Sequence, residues 1–397
     1  MHRPTHSRRL TSVAATGVAI ALVAAGCSSS SSTNSSASPS SSASASASAV
    51  TLTPAVKAQL QAVLDATRTQ FGFPGVQAGV WTDGEQWVGT SGTVGAGQTP
   101  APTPADHTRI GSITKTMTAT VVLQLIDEGK LSFDDVVDKY VPGMPNGSKA
   151  TLRNLLEMTS GIPTYTAGTT VVNQYAAKPT TVFTPQQLVD SVKKMPAMFT
   201  PGTQMFYSNT NYVLLGMIIE KVTGQQIGPV FKARILDPLK MSQTSVPGTS
   251  SAIPTPYLSG TSTQTNPEGT VKNATNWSPT LAFTAGEVIS TLDDLRIWGI
   301  ALGTGRGILN AATQKLRVDS VKTTVPPNTA DRSYGLGIVN TGGWLGHTGE
   351  IPGYNTTVQY YPDTHTTIVV MVNSDIMQGN AAPAVTTFEG LAKVMTP

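Results

Sequence analysis

Charge is scarce in this 397-residue chain: Lys, Arg, Asp and Glu make up 12% of it, about half the ~25% usual for a soluble domain. No stretch collects basic residues, which argues against a nucleic-acid partner, since such partners need a basic patch or stripe. Cys is limited to Cys27. That excludes an intrachain disulfide framework and every zinc or iron–sulfur site built on several Cys. Neither His-x-His nor His-Glu-x-x-His occurs, so no metal and no cofactor is expected. A Gly-x-Ser-x-Gly elbow is absent too, which leaves an α/β-hydrolase without support. The apolar run Val13–Ala25, broken by Thr16 and Gly17, falls short of the ~20 residues that span a bilayer.

That short run has another reading. Arg3, Arg8 and Arg9 precede it, so residues 1–26 fit a secretory signal peptide. Its end, Leu22-Val23-Ala24-Ala25-Gly26-Cys27, resembles a bacterial lipobox, in which the Cys is lipidated and becomes the mature N-terminus. Ala24 stands where Leu is more usual, and the competing reading is an ordinary cleavage site beside an incidental Cys. Residues 28–49 hold fourteen Ser, five Ala and no charge. Such a tract has nothing to bury, so residues 27–49 read as a tether. The expected arrangement is a domain over residues 50–397 held by a lipid on Cys27 at the outer face of a bacterial cytoplasmic membrane. The formal net charge of +3 is wholly Arg3, Arg8 and Arg9; the remainder is balanced.

Pro54–Phe71 reads as an amphipathic helix opened by Thr53, and Gly75–Trp81 with Gln86–Val94 as a hairpin around Thr82-Asp83-Gly84. Ile113–Glu128 is apolar nearly all round, a buried helix ended by Gly129. Residues 132–302 read as short helices and loops, with Thr151, Thr184 and Thr291 as helix N-caps. Tyr334–Val372 alternates like a run of antiparallel strands, and Ala384–Met395 closes with a helix. The fold class expected is α+β: an antiparallel sheet built from both chain ends and flanked by helices, with a mostly helical lobe inserted.

The chemistry begins at Gly111-Ser112-Ile113-Thr114-Lys115. Ser and Lys three apart share one helix face, with Cβ atoms ~5–6 Å apart. Burial strips solvent from the Lys115 ammonium and lowers its pKa toward that of a base, which an alkoxide-forming Ser needs. Ser112 at a helix N-terminus also offers its backbone N–H to an oxyanion. The spacing alone is weak: Ser191-Val192-Lys193-Lys194 matches it, and Ser112 could be an N-cap beside a surface Lys. Tyr207-Ser208-Asn209 and His347-Thr348-Gly349, each occurring once in the chain, strengthen it.

Ser112-x-x-Lys115, Tyr207-x-Asn209 and His347-Thr348-Gly349 resemble, in order, the three motifs of the serine β-lactamase and D-alanyl-D-alanine carboxypeptidase superfamily, in the class C branch that also holds esterases and D-amino-acid peptidases. Pro201-Gly202-Thr203, Ala285-Gly286-Glu287-Val288-Ile289-Ser290-Thr291 and Tyr334-Gly335-Leu336-Gly337 look like further family segments. The resemblance implies a β-lactamase/transpeptidase-like fold with Ser112 as the acylated nucleophile. Lys115 would take its proton or hold Tyr207 as a phenolate, with the choice of base open. Tyr207 would return a proton to the leaving group. Asn209 would hydrogen-bond Lys115 or a substrate amide, its alternative being a turn residue. His347 and Thr348 would line the substrate site, and the backbone N–H of Glu350 would complete the oxyanion hole with that of Ser112.

Two positions depart from the pattern. His347 stands where class C β-lactamases have Lys, and Glu350 where a small residue is common. No Arg or Lys lies between Tyr334 and His347 to receive a substrate carboxylate, and Arg332 lies just before. The expected function is a cell-envelope serine hydrolase acting on a small-molecule or peptidoglycan-peptide substrate, with D,D-carboxypeptidase, β-lactamase and esterase activities open. The alternatives are a non-catalytic lipoprotein that binds peptidoglycan or another ligand in the same cleft and, last, a solute-binding lipoprotein.

Overall fold

The computed structural model describes residues 50–265, 269–322 and 325–396; the proposed signal peptide, Cys27 and the tether to residue 49 lie outside them. Helix α1 (Pro54–Phe71) opens where Thr53 Oγ1 accepts from Val56 N at 3.3 Å, and Pro54 supplies a preset φ. Strands β1 (Gly75–Trp81) and β2 (Gln86–Gly92) form the expected hairpin. Buried helix α2 (Thr114–Asp127) follows, then α3 (Asn209–Thr223), α4 (Leu292–Thr304) and α5 (Ala311–Ser320). Strands β3 (Arg332–Tyr334), β4 (Val339–Thr341), β5 (Trp344–Ile351), β6 (Tyr354–Tyr361) and β7 (Thr366–Val372) lead to α6 (Pro383–Met395).

The seven strands make one antiparallel sheet in the order β2-β1-β7-β6-β5-β4-β3, so both chain ends meet where Val76 faces Val372. Period-two alternation sends the side chains of β7 to opposite faces. Ile368, Val370 and Val372 pack with Leu60 and Leu64 of α1 and Phe388 and Leu391 of α6. Val369 and Met371 pack with the helices on the other side, Trp298 of α4 among them. Gly299 is needed there because a Cβ would come 2.7 Å from Val358 Cγ2.

Between residues 132 and 302 the regular structure is mainly short helices joined by loops, and Thr151 and Thr184 each close a capping box. Thr291 caps by position only, without a side-chain bond. Two-residue strands also occur there: Thr261–Ser262 pairs with Lys272–Asn273, and Ile289–Ser290 with Thr108–Arg109. Such short pieces carry no periodic signal. Helix α2 is less apolar than its pattern suggests, since Thr116, Thr118 and Thr120 are fully buried. Each hydroxyl is satisfied: Thr116 accepts from Trp298 Nε1 at 2.8 Å, Thr118 donates to the Thr284 carbonyl at 2.8 Å, and Thr120 accepts from Arg317 Nη2 at 2.6 Å. These bonds fix the helix that carries Lys115. Ser191 and Lys194, the alternative Ser-x-x-Lys pair, lie just past the short helix Pro185–Asp190, where the intervening Lys193 pairs with Asp190 at 2.8 Å.

Candidate active site

A single 3-10 turn, Gly111–Ile113, joins the short strand Thr108–Arg109 to α2. Gly111 holds φ +53, and a Cβ there would lie 2.6 Å from the backbone N of Glu350. Only Gly fits both demands. Ser112 is thereby held half-buried at the rim, with Lys115 fully buried in the first turn of α2. Lys115 Nζ lies 2.8 Å from Ser112 Oγ and 2.7 Å from the carbonyl of Ala285. No carboxylate pairs with it among the described residues, and burial lowers its pKa well below the usual range. In this arrangement Nζ donates to both oxygens; an amine that has shed its extra proton keeps the bond to Ala285 and can turn its lone pair to the Ser112 hydroxyl.

Tyr207 approaches Ser112 from just ahead of α3. Its hydroxyl lies close enough to the Ser112 side chain to ease the phenolate charge, and Lys115 Nζ sits 4.9 Å from its ring centroid. Burial drives the phenol pKa strongly upward, and the Ser112 side chain opposes this only in part. With the amine pushed down and the phenol pushed up, the resting proton belongs to Tyr207. Asn209 does not make the expected bond to Lys115. Its Nδ2 donates to Thr166 Oγ1 at 3.3 Å and its backbone N to Thr164 Oγ1 at 3.2 Å, so the start of α3 is tied to the opposite loop. The Ala285 carbonyl takes the place expected of it.

The third side of the site is β5. Strand β4 pairs only with Trp344–Gly346, so β5 from His347 onward lies open toward the Ser112 turn. The approach is close: a Cβ on Gly349 would fall 1.9 Å from the Ile110 carbonyl oxygen and 3.2 Å from Ser112 N. The backbone N–H groups of Ser112 and Glu350 thus meet at one junction, the arrangement that stabilises a carbonyl oxygen gaining charge. Thr348 is exposed and Glu350 half-buried on the same side of the pleat, while His347 is buried on the other.

Burial lowers the His347 pKa to about 3, and Lys115 pushes the same way whenever it is protonated. The ring is therefore neutral at ordinary pH. Its Nδ1 donates to the Thr348 carbonyl, which leaves Nε2 to accept from the Tyr334 hydroxyl 3.3 Å away. Tyr334 also lies 3.3 Å from the hydroxyl of Tyr212, which donates to the Leu156 carbonyl at 3.0 Å. Tyr207, Tyr334 and His347 pack as one aromatic group, with ring centroids 5.6 to 6.2 Å apart. Where a Lys would put a cation, this chain puts an uncharged hydrogen-bonding ring.

The motifs locate Ser112, Lys115, Tyr207, His347, Thr348 and Glu350 around one cleft. They do not reveal the Ala285 carbonyl, Tyr212 and Tyr334 behind His347, or Gln264 and Asp375 near Glu350. Two of these stood in segments already singled out, Ala285-Gly286 and Tyr334-Gly335. The others are brought in by chain crossings with no sequence signal. No group of three or more His, Cys, Asp or Glu able to hold a metal occurs among the described residues.

Known proteins share both sequence and fold. Residues 60–387 match the beta-lactamase family model. A solved D-stereospecific amidohydrolase from a Streptomyces species is 33% identical, with TM-score 0.74 over 85% of this chain and 98% of that one. A D-amino acid amidase from Ochrobactrum anthropi SV3, solved with L-phenylalanine amide, is 26% identical with TM-score 0.74 over 86% of this chain and 97% of the other. A putative penicillin-binding protein, PbpX, of Bacillus subtilis is 27% identical over 68% of this chain, which spans 62% of that relative's length. With residues 60–387 matched by the family model and the fold shared with these solved hydrolases, the chain belongs to the beta-lactamase family and is a serine hydrolase.

Proposed function

We propose that the chain cleaves an amide or ester through an acyl-enzyme on Ser112, at the outer face of a bacterial membrane. The observation that carries this is Ser112 Oγ, held 2.8 Å from a buried amine that has no carboxylate partner among the described residues, with Tyr207 close beside it. Lys115 takes the Ser112 proton as Oγ attacks the carbonyl carbon. The oxygen's growing charge is received by the N–H groups of Ser112 and Glu350. Tyr207 gives its proton to the departing amine or alcohol, leaving a phenolate beside the Lys115 ammonium. In the second half, the phenolate takes a proton from the attacking water and Lys115 returns one to Ser112 Oγ, restoring the starting state. His347 holds no charge at any step.

Substrates with a free carboxylate beside the scissile bond find no cation here: His347 is neutral and Glu350 is acidic. D,D-carboxypeptidase and β-lactamase activities are therefore expected to be weak beside amide or ester cleavage of substrates without that carboxylate. The test is to incubate the full chain with a fluorescent penicillin, p-nitrophenyl esters and amino-acid amides. At least one ester or amide should turn over with a trapped adduct on Ser112, and the penicillin should label slowly or not at all. An inert protein with no Ser112 adduct would return the chain to the binding-only reading. The location rests on Cys27 and the signal-like segment before it. Cys27→Ala should move the protein from the membrane fraction to the soluble fraction; unchanged retention would end the lipid-anchor proposal.

A further inference from the structure

Glu350 is the residue in the cleft that the hydrolytic steps leave without a task for its side chain. Its backbone N–H sits at the oxyanion junction, and its carboxylate rises from the same side of β5 as exposed Thr348. Gln264 Nε2 donates to Oε1 at 2.9 Å and steadies it. Behind it stands Asp375, 3% exposed, whose Oδ2 accepts from Ser262 Oγ at 2.8 Å. Its Oδ1 meets no donor at hydrogen-bond geometry among the described residues, though the Gly353 amide lies near enough to ease its charge. No Lys or Arg among the described residues forms an ion pair with either carboxyl. One acid thus stands at the oxyanion junction with a second, buried acid near enough behind it to interact, while burial disfavours the charged forms of the cleft's own basic groups, Lys115 and His347.

From this geometry we infer that Glu350 receives the free amino group of the substrate, and that the acyl donors are amino-acid amides, esters or peptides with an unblocked amine beside the scissile carbonyl. This rests on the acyl-enzyme reading above. The dimensions agree. An α-amino nitrogen stands two bonds from the carbonyl carbon, and a Glu carboxylate stands three carbons from its own backbone N–Cα unit. One residue can therefore hold the carbonyl oxygen by its N–H and the ammonium by its side chain. The ammonium also relieves Glu350. Burial holds Glu350 up to about 7, and burial together with the Glu350 charge holds Asp375 up to about 7. A cation bound at Glu350 favours the ionised form that burial opposes. Charge-assisted hydrogen bonds of this kind discriminate strongly, because an acylated amine leaves the carboxylate unmatched.

The test compares phenylalanine p-nitroanilide, as both enantiomers, with the N-acetyl counterparts, using the full chain as wild type, Glu350→Gln and Glu350→Asp. Labelling of Ser112 by a fluorophosphonate probe reports an intact nucleophile in each. The wild type should prefer the free amine by about tenfold or more in kcat/KM. Glu350→Gln should lose about tenfold or more on the free amine and less than about threefold on the acetylated substrate, and Glu350→Asp should recover part of the loss. If Glu350→Gln lowers both substrates alike, the side chain supports the site without reading the amine, and the proposal falls. A labelled wild type that handles the acetylated substrate equally well, or turns over neither, overturns the ammonium site alone. A wild type that is neither labelled nor active takes the acyl-enzyme reading down with it.

Discussion

Ser112→Ala will yield a folded protein that neither turns over any substrate of the wild type nor reacts with a fluorophosphonate, a loss of about 10⁴-fold or more in kcat. The size follows from what is removed: the atom that forms the covalent bond. Lys115→Met should lose about 10³-fold or more for a different reason. It keeps the length of the side chain and the burial, but deletes the base and leaves the proton on Ser112. The pair is informative because their stabilities should diverge from their activities. Ser112 is half-buried and gives up few contacts. Lys115 is fully buried with no carboxylate partner among the described residues, so a thioether in its place removes a desolvation cost. Melting should be unchanged for the first variant and unchanged or higher for the second. Residual labelling of Ser112→Ala would move the nucleophile elsewhere, and Lys115→Met with more than a tenth of wild-type kcat would remove Lys115 from the chemistry.

Gly349→Ala is expected to be nearly as damaging although it touches no reacting atom. A methyl group there would lie 1.9 Å from the Ile110 carbonyl oxygen, a backbone atom with nowhere to swing. The strand must withdraw from the Ser112 turn, and the Glu350 N–H withdraws with it. Loss of one oxyanion donor costs about 10²–10³-fold in kcat. Since the donor acts mainly on charge that develops during the reaction, KM should change far less than kcat. A near-wild-type kcat in a protein of normal melting temperature would show that the Glu350 N–H is not part of the oxyanion hole.

Much of this was readable before any coordinates, and for physical reasons. Burial on both faces makes β7 a continuous apolar run and gives α2 a long apolar surface, so those elements announce themselves. Chemistry enforces residue type at Ser112, Lys115, Tyr207 and His347, so those do too. What stayed hidden depends on backbone atoms and on neighbours far apart in the chain. The carbonyl of Ala285 has no letter of its own in a sequence. Tyr212 serves His347 only because α3 crosses behind β5, and Asp375 reaches Glu350 only because the end of β7 passes near. The Lys115 bond expected of Asn209 is not made on the same account, because Thr164 and Thr166 hold its backbone and side chain from a loop about 45 residues earlier.

The meeting of both chain ends in one sheet has a further consequence, for the order of assembly. Val76 pairs with Val372 and Gly349 abuts Ile110, contacts about 300 and 240 residues apart in the chain. Closing a loop of that length costs roughly 5 kcal/mol of chain entropy before any contact repays it. A growing chain that has released its first 330 residues holds β1 with its β7 side unpaired and Ser112 with no strand beside it. The helices between them have local contacts and can form early, but the catalytic cleft is among the last features to appear. The domain therefore stays inert until β5, β6 and β7 have taken their places in the sheet.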